Sequence, residues 1–437
     1  MPDASKPLFS RPALAAVMLL STLAIWLLNL TAPSTNLPTP NIKTWSTESG
    51  IPVTWLSQSQ WENSNKLEIR LVFNAEHSNP AIIRATLDML LGDSLPLSTA
   101  SINQRFSPLA ARALSHYDTD NQIIGVTMNS EPDYLIPSLS LMTRWLQAPD
   151  FKPRSFDQWQ RQQQTALSAP QSSWQPFSAK PVANFSDLSL DQVKDYYQSL
   201  KNAAASIIII GHMTSESEER ITLALNAISQ DYRRSPPNPP IMQSETMNPN
   251  NQIVRPASTM GAPWQSQSAV ELKPISSVEE WLSLQIWGTD LVATLNQQAH
   301  IDFVQLALNL SVQPPWVWWQ TQYRNTLTLE PNTIQEANSE ASMKSLALLE
   351  PLPSTRDPEH FQALMDAFKA QLEQQTLSPT WWSDIATQVT HEGGAFTLEN
   401  FAADYQDAIT RFTIEDYQSA LETLLKPSSY QEIQVYQ

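Results

Sequence analysis

Two stretches of this chain, one in the middle and one at its end, carry the same order of signals, and that repetition limits the architecture more than any other feature. In "LSLDQVKDYYQSLKNAAASIIIIGHM", Ser189 is placed to cap a helix, with Gln192 at the reciprocal position of a capping box. The helix runs to about Lys201, and the apolar run Ile207 to Ile210 reads as a buried strand. In "FTIEDYQSALETLLKPSSYQEIQVYQ", Thr413 takes the cap, a helix runs to about Leu425, and an alternating strand follows from Gln431 to Tyr436. Ser189 to Ile207 and Thr413 to Gln431 are both 18 residues apart.

The front ends of the two halves are matched in the same way. "NKLEIRLVFNAE", Asn65 to Glu76, alternates as a half-buried strand should, and "PAIIRATLDMLLGDS", Pro80 to Ser94, follows it as a helix with proline at its entry and Gly92 at its exit. "EWLSLQIWGTD", Glu280 to Asp290, is expected to be the second copy of that strand, leading into a helical stretch that ends in "FVQLALNL". The predicted fold class is therefore α+β: two duplicated domains, residues 42–233 and 266–437, each a largely antiparallel sheet with helices on one face. The proline-rich residues 234–265 are expected to link them.

The first residues carry a separate signal. After Lys6 and Arg11, "ALAAVMLLSTLAIWLLNL" (residues 13–30) is an uncharged run close to the ~20 residues that span a hydrocarbon core. The basic residues precede it, so the positive-inside rule puts residues 1–12 in the cytoplasm and the body outside, periplasmic in a bacterial cell. A Pro/Ser/Thr/Asn-rich tether, residues 31–41, joins the two. A cleaved signal peptide is the rival reading, but the run is long for one and no clear A-x-A site follows.

Composition removes whole classes of function. A net charge of −17 argues against nucleic acid, which needs a basic surface. With 0 cysteines there is no thiolate chemistry and no disulfide, and 8 glycines against 33 prolines leave little room for a Gly-rich phosphate loop.

The strand "KLEIRLVF", a helix ending in Leu-Leu-Gly, and "LSLDQVKDYYQSL" leading into "IIIIGHM", in a unit that recurs after a linker, together resemble the M16 zinc metallopeptidases, relatives of pitrilysin and insulin-degrading enzyme. The resemblance implies a pair of M16-like (LuxS/metallohydrolase-like) domains. It also implies a zinc motif, His-x-x-Glu-His, on the helix before the glycine, with a later glutamate completing the ligands. Two histidines four apart on one helix face can grip a zinc ion, and the glutamate activates the bound water. Aligning on Gly92 puts the histidine positions at Ile83 and Leu87, the catalytic glutamate at Thr86 and the later glutamate near Gln164. None of the four can serve: isoleucine and leucine have no lone pair for a metal, threonine is too weak a base, and glutamine is a poor substitute for an anionic ligand. No catalytic residue, cofactor or metal is expected on this reading, and Ile83, Leu87, Leu90 and Leu91 form one apolar stripe.

Other chemistry is thinly supplied. The six histidines (His77, His116, His212, His300, His360, His391) are scattered, with His77 read as a surface residue and His212 as a loop residue. "HEGGA", His391 to Ala395, lacks the second histidine of HExxH and has Gly393 and Gly394 where a helix is needed. No G-x-S-x-G elbow is present, although a Ser-His-Asp set can assemble only in space. Tyr323 and Arg324 lie where the resemblance implies substrate-holding Arg and Tyr, but without the expected glycines those roles are not assigned. "PPWVWW" (314–319) and "PTWWSD" (379–384) read as core or as partner surface.

The expected function is that of a catalytically inactive, membrane-anchored M16 peptidase-like protein, a non-catalytic subunit or peptide-binding partner of an active zinc homologue. An active peptidase with a non-standard site and an envelope scaffold are the alternatives.

Overall fold

The computed structural model describes residues 37–75, 79–96, 98–117, 121–167, 185–235, 252–254, 263–310, 314–324, 352–389 and 396–436. The apolar run 13–30, the first part of the tether, His77 and "HEGGA" with His391 lie outside them. Among the described residues no helix is long and apolar enough to cross a membrane.

In chain order the elements are β1 (Asn41–Ser46), β2 (Pro52–Ser57), β3 (Lys66–Phe73), α1 (Pro80–Leu91), α2 (Ile102–Phe106), β4 (Arg112–Tyr117), β5 (Gln122–Asn129), α3 (Pro132–Gln147), α4 (Pro153–Leu167), α5 (Leu190–Lys201), β6 (Ala204–Gly211) and α6 (Ser215–Ser229). There follow β7 (Gln252–Val254), β8 (Pro263–Glu271), α7 (Val278–Asn296), β9 (Ile301–Asn309), β10 (Trp316–Tyr323), α8 (Pro358–Gln375), α9 (Pro379–Val389), α10 (Leu398–Arg411), α11 (Ile414–Leu424) and β11 (Gln431–Tyr436). The predicted capping box of Ser189 with Gln192 is present, and Thr413, expected as a cap, forms a capping box with Asp416.

One sheet runs β1-β2-β6-β3-β5-β4 and the other β7-β11-β8-β10-β9. β2 pairs parallel with β6 and β7 parallel with β11, while the remaining neighbours are antiparallel, so each sheet is mixed. With β1 set aside, the second sheet repeats the first strand for strand.

That correspondence corrects the expected match between the front ends. The counterpart of β3 is β8, and the segment Glu280–Asp290 lies within helix α7. "FVQLALN" is strand β9 and not the end of a helix. The misreading has a physical cause: α7 is wedged between its sheet and other helices and buries residues on nearly every side, including Trp281, Leu282, Leu284, Ile286 and Trp287. A helix that is apolar all round loses its 3.6-residue rhythm, and alternation can be read into it. β7 and the first residues of β8 also fall inside the stretch expected to be linker.

α1 starts where Pro80 fixes the first helical φ and the Asn79 side chain accepts from Ala81 N at 3.0 Å. Its last carbonyls are taken up locally: Gly92 N donates to Asp88 O at 3.0 Å, and the Trp145 indole donates to Leu90 O at 2.9 Å. The chain beyond is held by the Lys152 ammonium, which donates to the carbonyls of Asp93, Leu95 and Ser98.

β3 sorts its side chains by the period of two. Leu67, Ile69, Leu71 and Phe73 join the core beneath the helices. Lys66, Glu68 and Arg70 point the other way, where helix α9 of the second half lies on β3 and β6. Helices therefore cover both faces of this sheet, against the expectation of one. Arg70 binds Glu68 at 2.7 Å and Asp384 of α9 at 2.8 Å, Lys66 donates to Thr380 at 2.7 Å, and the Trp61 indole donates to Leu377 O at 2.8 Å.

Candidate functional site

Helix α1 carries the positions that the sequence singles out, and it presents two very different sides. Ile83, Thr86 and Leu87 are 4%, 0% and 1% exposed. The Thr86 hydroxyl donates back to Ile82 O at 2.8 Å and lies 3.4 Å from Val193 O of α5. These three side chains are packing: a zinc ion placed among them would meet methyl groups and a hydroxyl already committed to the backbone, and the donor set does not fit the metal. Gln164 is exposed on α4. Among the described residues, no three His, Asp or Glu side chains lie close enough to hold a metal ion.

One residue further round the helix the chemistry changes. Arg84 and Asp88, at i and i+4, are 42% and 39% exposed and stand 3.6 Å apart. This side of α1 looks at α4 and at β4. The Trp159 indole of α4 donates to Asp88 Oδ2 at 2.9 Å. The Arg84 guanidinium lies 5.9 Å from the centre of the Phe185 ring, which meets Trp159 edge-on at 5.4 Å. Tyr117, the last residue of β4, completes the group: burial pushes its hydroxyl above the ordinary 10.0, Arg84 works against that rise and Asp88 adds to it. The alignment on Gly92 passes over this cluster because it looks for metal ligands. An i,i+4 pair of opposite charge in an otherwise apolar helix was its one sequence signal.

Beside the cluster, the outward edge of β4 is partly closed. The Asn103 side chain accepts from Ala113 N at 2.7 Å and donates to Ala113 O at 3.1 Å, taking the place of a strand partner.

The remaining candidates resolve into structure. His116 is exposed on β4, His212 is half-buried after β6, and His300 stacks on Tyr323 with ring centres 6.0 Å apart. The Arg324 guanidinium donates to Ile301 O at 3.2 Å. His360 Nε2 meets Asp290 Oδ1 at 2.9 Å, which is the beginning of a Ser-His-Asp set. The hydroxyl of the nearby Ser354 instead pairs with Tyr417 at 2.8 Å, while its backbone N–H donates to Asp290 Oδ2 at 2.9 Å. The histidine is therefore not poised to deprotonate that serine. Trp319 and Trp382 are 0% exposed, the first against Trp287 and Tyr430 and the second against Phe401 and Tyr405, so both Trp-rich segments anchor the core. A shallow concavity of about 380 Å³, lined by Pro96, Ser140, Thr143, Arg144, Gln147 and Ala148, contains none of the residues that the sequence singles out.

Solved structures share this fold as a whole. No family model matches the chain, and no curated protein does. The M16 peptidase inactive domain from Pseudomonas fluorescens is similar over 90% of this chain and 97% of its own, with TM-score 0.62 and 15% identity. A protease from Helicobacter pylori is similar over 91% of this chain and 100% of its own, with TM-score 0.66 and 10% identity. The periplasmic protease PqqL from Escherichia coli gives TM-score 0.58 and 12% identity over 90% of this chain and 47% of its own, so this chain spans about half of that enzyme. The protein has the mixed α+β fold of M16-like peptidases.

Proposed function

We propose that this chain is a catalytically inactive M16 peptidase-like protein, built from two copies of one α+β unit, that acts as the non-catalytic, peptide-handling partner of a zinc-bearing homologue. The observation that carries the proposal is the packing of α1: Ile83, Thr86 and Leu87, where the family resemblance puts its ligands and base, are core residues without a free donor. With those positions filled by packing side chains, hydrolysis falls to another chain, which favours a zinc-bearing homologue as its complement. The apolar run 13–30 is proposed as an uncleaved anchor, with the body on the extracytoplasmic side. PqqL is periplasmic, which agrees with that side of the membrane.

The test is purification of the native protein from membranes, followed by metal analysis and identification of the chains that accompany it. A co-purifying protein with His-x-x-Glu-His is the expected result. Stoichiometric zinc in this chain alone, together with peptide hydrolysis, would replace the proposal with an active peptidase of non-standard site.

A further inference from the structure

We propose that the Arg84, Asp88, Trp159 and Tyr117 cluster is a recognition site for the backbone of an uncharged peptide segment, with Arg84 donating to a peptide carbonyl and Asp88 accepting from a peptide N–H. This rests on the peptide-handling part of the function proposed above and assigns residues to it.

The charges decide the ligand class. Among the described residues Arg84 has Asp88 as its only ionic partner, through Nε at 3.6 Å, and its side chain is 42% exposed. Asp88 engages Trp159 and Arg84 through Oδ2, and its side chain is 39% exposed. A carboxylate ligand drawn to Arg84 would be opposed by Asp88 a few ångströms away, and a cationic ligand would meet the reverse. A peptide group is neutral and offers one acceptor and one donor, so it satisfies both side chains without adding net charge. Phe185 and Trp159 are 5% and 7% exposed and form a fixed aromatic wall behind the pair. Such a wall holds the guanidinium in place and excludes water from one side of it, conditions under which charge-assisted hydrogen bonds gain strength.

Recognition here is assigned to side chains, and at Ala113 the edge of β4 is not free to pair with an added strand. The backbone N–H and C=O of Ala113 are already paired with Asn103. Tyr117, the last residue of β4, stands close enough to Arg84 and Asp88 for both charges to act on its hydroxyl. A peptide reaching the cluster thus meets two half-exposed charges on a helix face from which the two proposed metal positions have turned away.

The test uses the full-length chain and a labelled nine-residue peptide, acetylated and amidated at its ends, without charged residues and with apolar side chains at alternate positions. Anisotropy gives the Kd, and the ¹⁵N indole resonance of Trp159, assigned by loss in Trp159→Phe, reports occupancy. Arg84→Met and Asp88→Ala are each expected to weaken binding about tenfold, with unfolding midpoints close to wild type. Arg220→Met is the matched control, since Arg220 forms an i,i+4 pair with Glu216 and is 41% exposed; it should bind as wild type. If Arg84→Met and Asp88→Ala bind as wild type and the Trp159 signal does not move, the site assignment is overturned while peptide handling stands. A free carboxylate at the peptide end that tightens binding by more than tenfold would overturn the ligand class. If the wild-type chain binds no such peptide at all, the peptide-handling function itself falls.

Discussion

Installing histidines on α1 should have opposite consequences at positions one residue apart. In Ile83→His/Leu87→His, two side chains that are 4% and 1% exposed are replaced by imidazoles. Each loses about 1.5–3 kcal/mol of apolar burial. Each also brings a polar nitrogen into a site without a partner, at about 1–3 kcal/mol. The sum, roughly 5–12 kcal/mol, is comparable to the whole stability of an ordinary domain. In Arg84→His/Asp88→His the replaced side chains are 42% and 39% exposed, and the loss is a surface ion pair worth about 0.3–0.5 kcal/mol plus the Trp159 hydrogen bond to a carboxylate at about 1.5–3 kcal/mol. That variant should fold, and it places two histidines four apart on an open face, a spacing that chelates zinc. Urea unfolding followed by tryptophan fluorescence gives the stabilities, and zinc titration the affinity. The expected result is a folded, zinc-binding 84/88 variant and an 83/87 variant that unfolds in the absence of denaturant or near it. An 83/87 variant of wild-type stability that binds zinc would refute the account of α1, because it would require the buried side to be open to solvent.

Other expectations follow from single contacts. Arg70→Met leaves the Glu68 carboxylate, 1% exposed, without its cation and should destabilise by about 3–5 kcal/mol, whereas Asp384→Asn, at a 55% exposed position, should cost under about 1 kcal/mol; chemical denaturation separates the two. Ala110 holds a left-handed φ of 49°, so Ala110→Gly should raise stability by about 0.5–1 kcal/mol in the same assay. Burial raises the hydroxyls of Tyr196, Tyr197, Tyr232, Tyr417 and Tyr430 above their ordinary 10.0, so the folded state keeps protons that the unfolded chain releases. Their contribution is intact below pH 10 and should be lost progressively as pH rises above it, which an unfolding series from pH 8 to 12 would show as a falling midpoint. Lys201, lowered from 10.5 by burial, works in the opposite sense but is a single group.

The back half of each unit was legible in the sequence because its signals are local. Ser189 with Gln192 and Thr413 with its helix are capping contacts within four residues, and the strands that follow have a clear period or a clear apolar run. The front half of the second unit was not legible, since α7 is enclosed on nearly all sides and its pattern reports burial rather than helix geometry. At the candidate site, the sequence established that no histidine or glutamate stands between Pro80 and Ser94 and that Ile83, Thr86 and Leu87 lack the donors a metal needs. Only the tertiary structure decided which side of that helix meets the other elements. Trp159 and Phe185 reach Arg84 and Asp88 from distant points in the chain, and α9 crosses from the second half to cover β3. Periodicity and caps are properties of a few neighbouring residues and can be read along a chain; the choice of which face is buried, and against what, depends on residues brought together from tens to hundreds of positions away.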